Sequence, residues 1–185
     1  VSGGILCLDL GRQSAFAYGE PSRKPVWGHV TLGEPQASGG CVLAEARKWI
    51  EALCDRWKPL WICQEAPYAQ RPGQKTSVPF NPKTQARLQR FAGVAESLAY
   101  ERGLSYREPE IRDVAGHFLG AEGRRMRSDK KKRQTVVICK LHGWEPVTGD
   151  EADALALLSY MEWSLSPGQA RLRGEGVPLF LAAQR

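Results

Sequence analysis

The sequence predicts an α/β domain built on a mixed five-stranded sheet with helices on both faces. Three observations lead there. Three closely linked strand patterns open the chain, as in an antiparallel meander. Helical and strand periods then alternate. The chain closes on helices, so the later strands must enter the sheet through crossovers that cover its faces.

Residues 4–10 (GILCLDL) form an apolar run that ends at Asp9-Leu10-Gly11, the pattern of a buried strand and a turn. Residues 14–19 and 25–32 give two further strands, separated by a turn at Glu20-Pro21-Ser22. Over 42–57 the period changes. Leu43, Ala46, Trp49, Ile50, Leu53, Cys54 and Trp57 recur at helical spacing, and Pro59 stops the helix. Residues 60–63 (LWIC) are a short strand that runs into Gln64-Glu65. The proline-rich stretch 66–82 reads as a loop. A helix is expected from Pro82 to Arg102, with Leu88, Phe91, Ala95, Leu98 and Ala99 on one face and Gly103 as its stop. A short strand follows at 104–108, then a helix opened by Pro109 over PEIRDVAGHFLG. The basic block 124–133 precedes a helix over Lys132–Leu141, and the final helix spans 150–164, with acids in its first turn. These elements place one domain over 1–165; the 166–185 tail has no clear period, and no internal repeat is visible.

The 185 residues suit one domain with a sizeable core. Hydrophobic residues make up 42% and charged residues 25%, as in ordinary soluble proteins. No apolar run approaches the ~20 residues of a membrane helix, so no membrane partner is expected. The opening residues lack a basic n-region and cleavage site, so no secretory leader is expected. Cys7, Cys54, Cys63 and Cys139 sit among apolar residues, and no C-x-x-C pair occurs. They read as small core residues of a protein in a reducing compartment, cytoplasmic or nucleoid-associated, with an organellar matrix also compatible. Net charge is +6 and pI about 9.2. Much of the excess lies in 124–133 (RRMRSDKKKR), where Asp129 is the single acid. Such a block suits phosphate binding, although a solubilising loop would look the same.

Asp9 and Glu65 each lie at the C-terminal end of a predicted strand. If those strands pair in parallel, both carboxylates emerge at one edge of the sheet. Asp150 and Asp153 are spaced i, i+3 and share one helix face. Four converging anions repel one another unless cations hold them. All-oxygen donor sets suit Mg²⁺, with Mn²⁺ as a substitute, rather than zinc. Two such ions about 3.5–4 Å apart can activate water and stabilise the leaving oxygen of a phosphodiester.

These motifs resemble those of RuvC-type Holliday junction resolvases, within the RNase H-like nuclease superfamily. The family's first strand carries I-D-P-G, matched here by Leu8-Asp9-Leu10-Gly11. Its I-E-x-x-F strand end is matched by Ile62-Cys63-Gln64-Glu65-Ala66-Pro67-Tyr68. Its K-x-Q-V-like helix opening is matched by Lys132-Arg133-Gln134-Thr135-Val136, and its D-x-A-D-A-L-A helix by Asp150-Glu151-Ala152-Asp153-Ala154-Leu155-Ala156. The resemblance spans residues 4–164 and implies the RNase H-like fold.

It further implies a structure-selective endonuclease that nicks four-way and other branched DNA through two Mg²⁺ ions and works as a symmetric homodimer. Asp9, Glu65, Asp150 and Asp153 would be metal ligands, with Asp9 shared by both ions, and Glu151 would point elsewhere. Lys132 would hold the scissile phosphate. Arg112 stands where the family has another lysine; its planar fork is not equivalent to an ammonium. Tyr68 would stack on bases near the junction centre. Lys130, Lys131 and Arg133, together with Arg71, Lys75, Lys83, Arg87 and Arg90, would contact backbone phosphates. His29, His117 and His142 are expected to be structural or surface residues, because the water needs no histidine base. The helix over 82–102 is a candidate dimer face. Three alternatives remain: a nuclease of the same fold without junction selectivity that acts on branched DNA or RNA, a sugar-kinase-like ATP-binding protein, and a non-enzymatic branched-DNA binder. The second usually needs a longer chain and glycine-rich phosphate loops.

Overall fold

A computed structural model describes residues 3–20, 23–67 and 81–165. Tyr68, Arg71, Lys75 and the 166–185 tail therefore lie outside the described residues. The strands are β1 (Ile5–Asp9), β2 (Gln13–Gly19), β3 (Val26–Thr31), β4 (Trp61–Gln64) and β5 (Ser105–Arg107). The helices are α1 (Gly39–Trp57), α2 (Pro82–Glu101), α3 (Ile111–Phe118), α4 (Ser128–Leu141) and α5 (Gly149–Leu165), with a 3₁₀ turn at Ala121–Arg125.

The five strands form one sheet in the order β3-β2-β1-β4-β5. β1–β2 and β2–β3 pair antiparallel, while β1–β4 and β4–β5 pair parallel. The expected mixed sheet is thus present, and β1 lies at its centre. Alternation along β1 directs its side chains to two cores. Ile5 and Cys7 pack with α3, α4 and α5, including Val114, Ile138, Cys139, Leu155 and Met161. Leu6 and Leu8 pack with α1 and α2, including Ile50, Leu53, Phe91 and Leu98. Cys7, Cys54, Cys63 and Cys139 are all buried. No described helix is long and apolar enough to cross a membrane. The apolar face of α2 is consumed by the second core, where Phe91, Ala95, Leu98 and Ala99 are buried.

Two helices begin earlier than their apolar period suggests. α1 starts at Gly39 because the Ser38 hydroxyl caps it, accepting from the Cys41 N–H at 3.3 Å. α4 starts at Ser128, four residues before the expected Lys132, so Lys130 and Lys131 are helical rather than part of a preceding loop. Lysine is a good helix former but adds no apolar period, and the first apolar residue of this helix is Val136. α5 is buried on nearly every side, from Ala152 through Met161. That accounts for its Ala-Leu-Ala-Leu-Leu run, which has no polar stripe.

Candidate metal centre and nucleic-acid surface

Parallel pairing of β1 with β4 places Leu8 beside Gln64, so Asp9 and Glu65 emerge at the same edge of the sheet. The turn after Asp9 is tied by Ser14, a fully buried residue whose hydroxyl accepts from the Gly11 N–H at 3.1 Å and donates to the Gly11 carbonyl at 2.9 Å. Beyond β4, the Ala66 N–H donates to the Pro109 carbonyl at 2.9 Å, which holds the chain around Glu65 against the segment after β5.

Asp150 and Asp153 reach this edge from the first turns of α5. Carboxylate oxygens of Asp9, Asp150 and Asp153 lie within 4.8 Å of one another, close enough to share a cation. Glu65 lines the same cleft as Asp9, about 120 Å³ in volume, together with Leu8, Leu88 and Ile111, but stands outside that tight group of three. Burial, then the charges of Asp153, Glu65 and Asp150, push the Asp9 carboxyl up to about 8, against the smaller opposing effect of Lys132. Burial likewise raises Glu65 to about 7, with Lys131 opposing and Asp153 reinforcing the rise. Asp153 is raised chiefly by burial, opposed by Lys132 and Lys131. A site that so disfavours its own ionised form needs positive charge to hold four carboxylates. All four carboxylates offer oxygen donors only, which fits a hard divalent cation.

Lys132 supplies one such charge. Its Nζ pairs with Asp150 Oδ1 and lies 3.6 Å from Asp153 Oδ2. Burial lowers its affinity for the proton, but the hydrogen bond to Asp150 and the charges of Asp153, Asp150 and Asp9 outweigh that, so it stays firmly cationic. The lysine stem crosses Gly149. A Cβ built there would stand 2.2 Å from Lys132 Cε, so only glycine leaves this path open. The other predicted cations are placed differently. Arg112 pairs with Glu110 at 2.7 Å and touches none of the four carboxylates. Lys130 and Arg133 are exposed on α4, and Arg133 Nε donates to the Asp129 carbonyl at 3.3 Å. Lys83, Arg87 and Arg90 are exposed on α2.

Sequence matching does not place this chain: no family model and no curated protein matches it. Solved structures do. The structure of RuvC from Thermus thermophilus aligns with a TM-score of 0.63 at 14% identity, covering 89% of this chain and 96% of that one. T. thermophilus RuvC in complex with a Holliday junction substrate aligns with a TM-score of 0.68 at 14% identity, covering 90% and 97%. The fold is that of RuvC-type resolvases. The yeast mitochondrial Holliday junction resolvase Ydc2 aligns as well, with a TM-score of 0.56 at 16% identity over 91% of this chain and 80% of its own.

Within this RuvC-type fold, Glu151 is oriented as expected, away from the carboxylate cluster, but it has a definite task. It is buried; Oε1 lies 2.6 Å from His29 Nδ1 on β3, and Oε2 accepts from the Val147 N–H at 2.6 Å. The Glu151 N–H in turn donates to Thr148 Oγ1 at 3.1 Å. This is a capping box displaced by one residue, and the spacing Thr148-x-x-Glu151 is its legible signature. It holds the end of α5 that carries Asp150 and ties it to the sheet. We expect Glu151→Ala to destabilise the protein by about 2–3 kcal/mol in urea unfolding, because the Val147 N–H and His29 both lose their bond to a buried carboxylate. Glu151→Gln, which keeps an acceptor for Val147, should lose less than half of that. Equal losses in the two variants would mean that the carboxylate charge, not the hydrogen bonding, is what matters. His117 is likewise structural, its ring nitrogen 3.1 Å from Ser159 Oγ and its proton affinity lowered by burial to about 4.

Proposed function

We propose that this chain is a divalent-metal-dependent endonuclease that resolves four-way DNA junctions by paired symmetric nicking. The observation that carries the reading is the meeting of Asp9, Asp150 and Asp153 at the edge of a RuvC-type sheet, with Glu65 across the cleft. Asp9, Glu65, Asp150 and Asp153 would hold two Mg²⁺ ions, or Mn²⁺ in their place. The chemistry such ions supply when bound is an activated water and charge compensation at the leaving oxygen.

The chain's own residues do the rest. Asp9, on the central strand and in reach of both helix aspartates, is the shared ligand. Among the described residues Lys132 is the cation ion-paired with the cluster, and a phosphate would draw its ammonium from Asp150. Lys130, Lys131 and Arg133 crowd the first turns of α4, where the helix dipole disfavours positive charge and no side chain caps the helix. A local arrangement so unfavourable to the helix is supported by a role outside it, contact with DNA phosphates. Arg112, exposed on α3 and paired with Glu110, would add a further phosphate contact. A homodimer follows from the need for two paired nicks.

The test is cleavage of a synthetic mobile junction in Mg²⁺ and in EDTA, beside duplex, flap and RNA substrates. Symmetric nicks at the junction that require Mg²⁺ are expected. Undiminished cleavage in EDTA, or equal cutting of duplex and RNA, would overturn the reading.

A further inference from the structure

Asp9, Ala15 and His29 stand in one row across the sheet. The register pairs Asp9 with Ala15 on β2, and Ala15 with His29 on β3. Residues directly opposite one another project to the same face. Both ends of this row meet the start of α5. At one end, Asp9 shares its cluster with Asp150 and Asp153. At the other, His29 Nδ1 lies 2.6 Å from Glu151 Oε1. In the middle of the row Ala15 is wholly buried, and so is Ala152, the residue of α5 between Glu151 and Asp153. Both belong to one core, and their small side chains let α5 approach the sheet closely.

The pair at the far end resists a force that the cluster generates. Repulsion among the carboxylates of Asp9, Asp150 and Asp153 pushes the first turns of α5 away from β1. Lys132 relieves part of it from α4. Glu151 opposes the rest mechanically. It is buried, its Oε2 accepts from the Val147 N–H at 2.6 Å, and its own N–H donates to Thr148 Oγ1 at 3.1 Å. The carboxylate that grips His29 is thus fixed to its helix before it reaches the sheet. A carboxylate only accepts, so His29 Nδ1 is the donor of the pair. The His29 side chain is 43% exposed, so its contribution is this bond rather than filled core volume.

We propose that His29 is a positioning residue of the metal centre: through Glu151 it holds Asp150 and Asp153 at the separation from Asp9 that a divalent cation requires, so that the site is formed before the cation arrives. The inference rests on the metal-ion reading above. It gives the sheet-edge strand β3 a part in metal affinity, beyond the part Glu151 has in stability. His29 acts on the site only through Glu151 and moves no proton in the reaction. Without its bond the first turns of α5 relax outward, and some of the cation's binding free energy goes into drawing them back.

The test is titration of the DNA-free protein with Mn²⁺, followed by electron paramagnetic resonance of the free ion. His29→Ala and His29→Phe should each weaken Mn²⁺ binding about tenfold, the lower end of what is lost when a group behind a metal ligand is removed. Phenylalanine keeps a ring and lacks the donor, which separates the bond from packing. His29→Asn keeps an N–H donor near the place of Nδ1 and should stay within about threefold of the wild type. Leu53→Ala, in the core on the other face of the sheet, lowers stability but should leave Mn²⁺ affinity within about twofold. The Mg²⁺ concentration that half-saturates junction cleavage should rise in His29→Ala, with a far smaller change in the rate at saturation. Wild-type Mn²⁺ affinity in His29→Ala and His29→Phe, or an equal loss in Leu53→Ala, would overturn this proposal and leave the metal reading standing. A wild type that binds no Mn²⁺ would overturn both. Mn²⁺ binding that depends on His29 in a protein that cuts no junction would support this proposal and sink the junction reading alone.

Discussion

Asp9→Asn is expected to abolish junction cleavage, by at least about 1,000-fold in single-turnover rate, while it makes the metal-free protein more stable. Both effects arise from one property. Asp9 is buried at the end of the central strand and surrounded by Asp153, Glu65 and Asp150, so its carboxyl holds a proton up to about 8 in the folded chain. In the unfolded chain it releases that proton near 4. Between those limits the folded state binds more protons, so this group's contribution to stability falls as pH rises from about 4 to about 8. Asparagine is a neutral isostere and carries no such dependence. In EDTA the variant should therefore unfold at higher urea than the wild type at pH 8.5, by about 2–4 kcal/mol, and the advantage should vanish near pH 4. Mg²⁺ should reverse the order at pH 8.5 by stabilising the wild type selectively. Urea titrations at three pH values, with and without Mg²⁺, measure this directly. A variant as unstable as the wild type in EDTA at pH 8.5 would show that the carboxylates are not crowded as described.

Lys132→Met is expected to lower the cleavage rate by about 100-fold, a loss of the size found when one charge-stabilising donor is removed. Junction affinity in Ca²⁺ should change far less, because Lys130, Lys131 and Arg133 remain on α4. The metal-free protein should also lose stability, since Asp150 and Asp153 lose the cation between them. Gly149→Ala separates these effects. Alanine favours the helix by up to about 1 kcal/mol over glycine, yet its Cβ would occupy the space of the Lys132 stem. Cleavage should therefore fall about tenfold without loss of stability. Wild-type rates in both variants would remove Lys132 from the reaction and leave it a counter-ion of the empty carboxylate cluster.

Much of the site is legible in local pattern. The strand that carries Asp9 is marked by its apolar run, and Asp150 and Asp153 by their i, i+3 spacing at the start of an apolar helix. Lys132 falls on the following face of a helix whose apolar period begins at Val136. Other features left weaker marks. The first turns of α4 were hidden because lysines carry helix propensity but no hydrophobic period. The capping box at Thr148 and Glu151 is written in the sequence, but it competes with the stronger reading of D-E-A-D as a ligand motif. Arg112 occupies the expected segment, yet it is engaged by Glu110, a partner two residues away that no motif includes.

The sequence by itself determined the elements, their order, the strand ends on which Asp9 and Glu65 sit, and the helix face shared by Asp150 and Asp153. These are short-range properties, set by periodicity, capping and turn chemistry over a few residues. Only the tertiary structure decided that Glu65 stands apart from the tight aspartate group, that Lys132 reaches it across Gly149, and that Glu151 locks onto His29. Each joins residues distant in the chain, His29 and Glu151 by 122 positions. Contacts of that kind depend on how sheet and helices pack, and packing leaves no repeat in the sequence from which the partners could be paired.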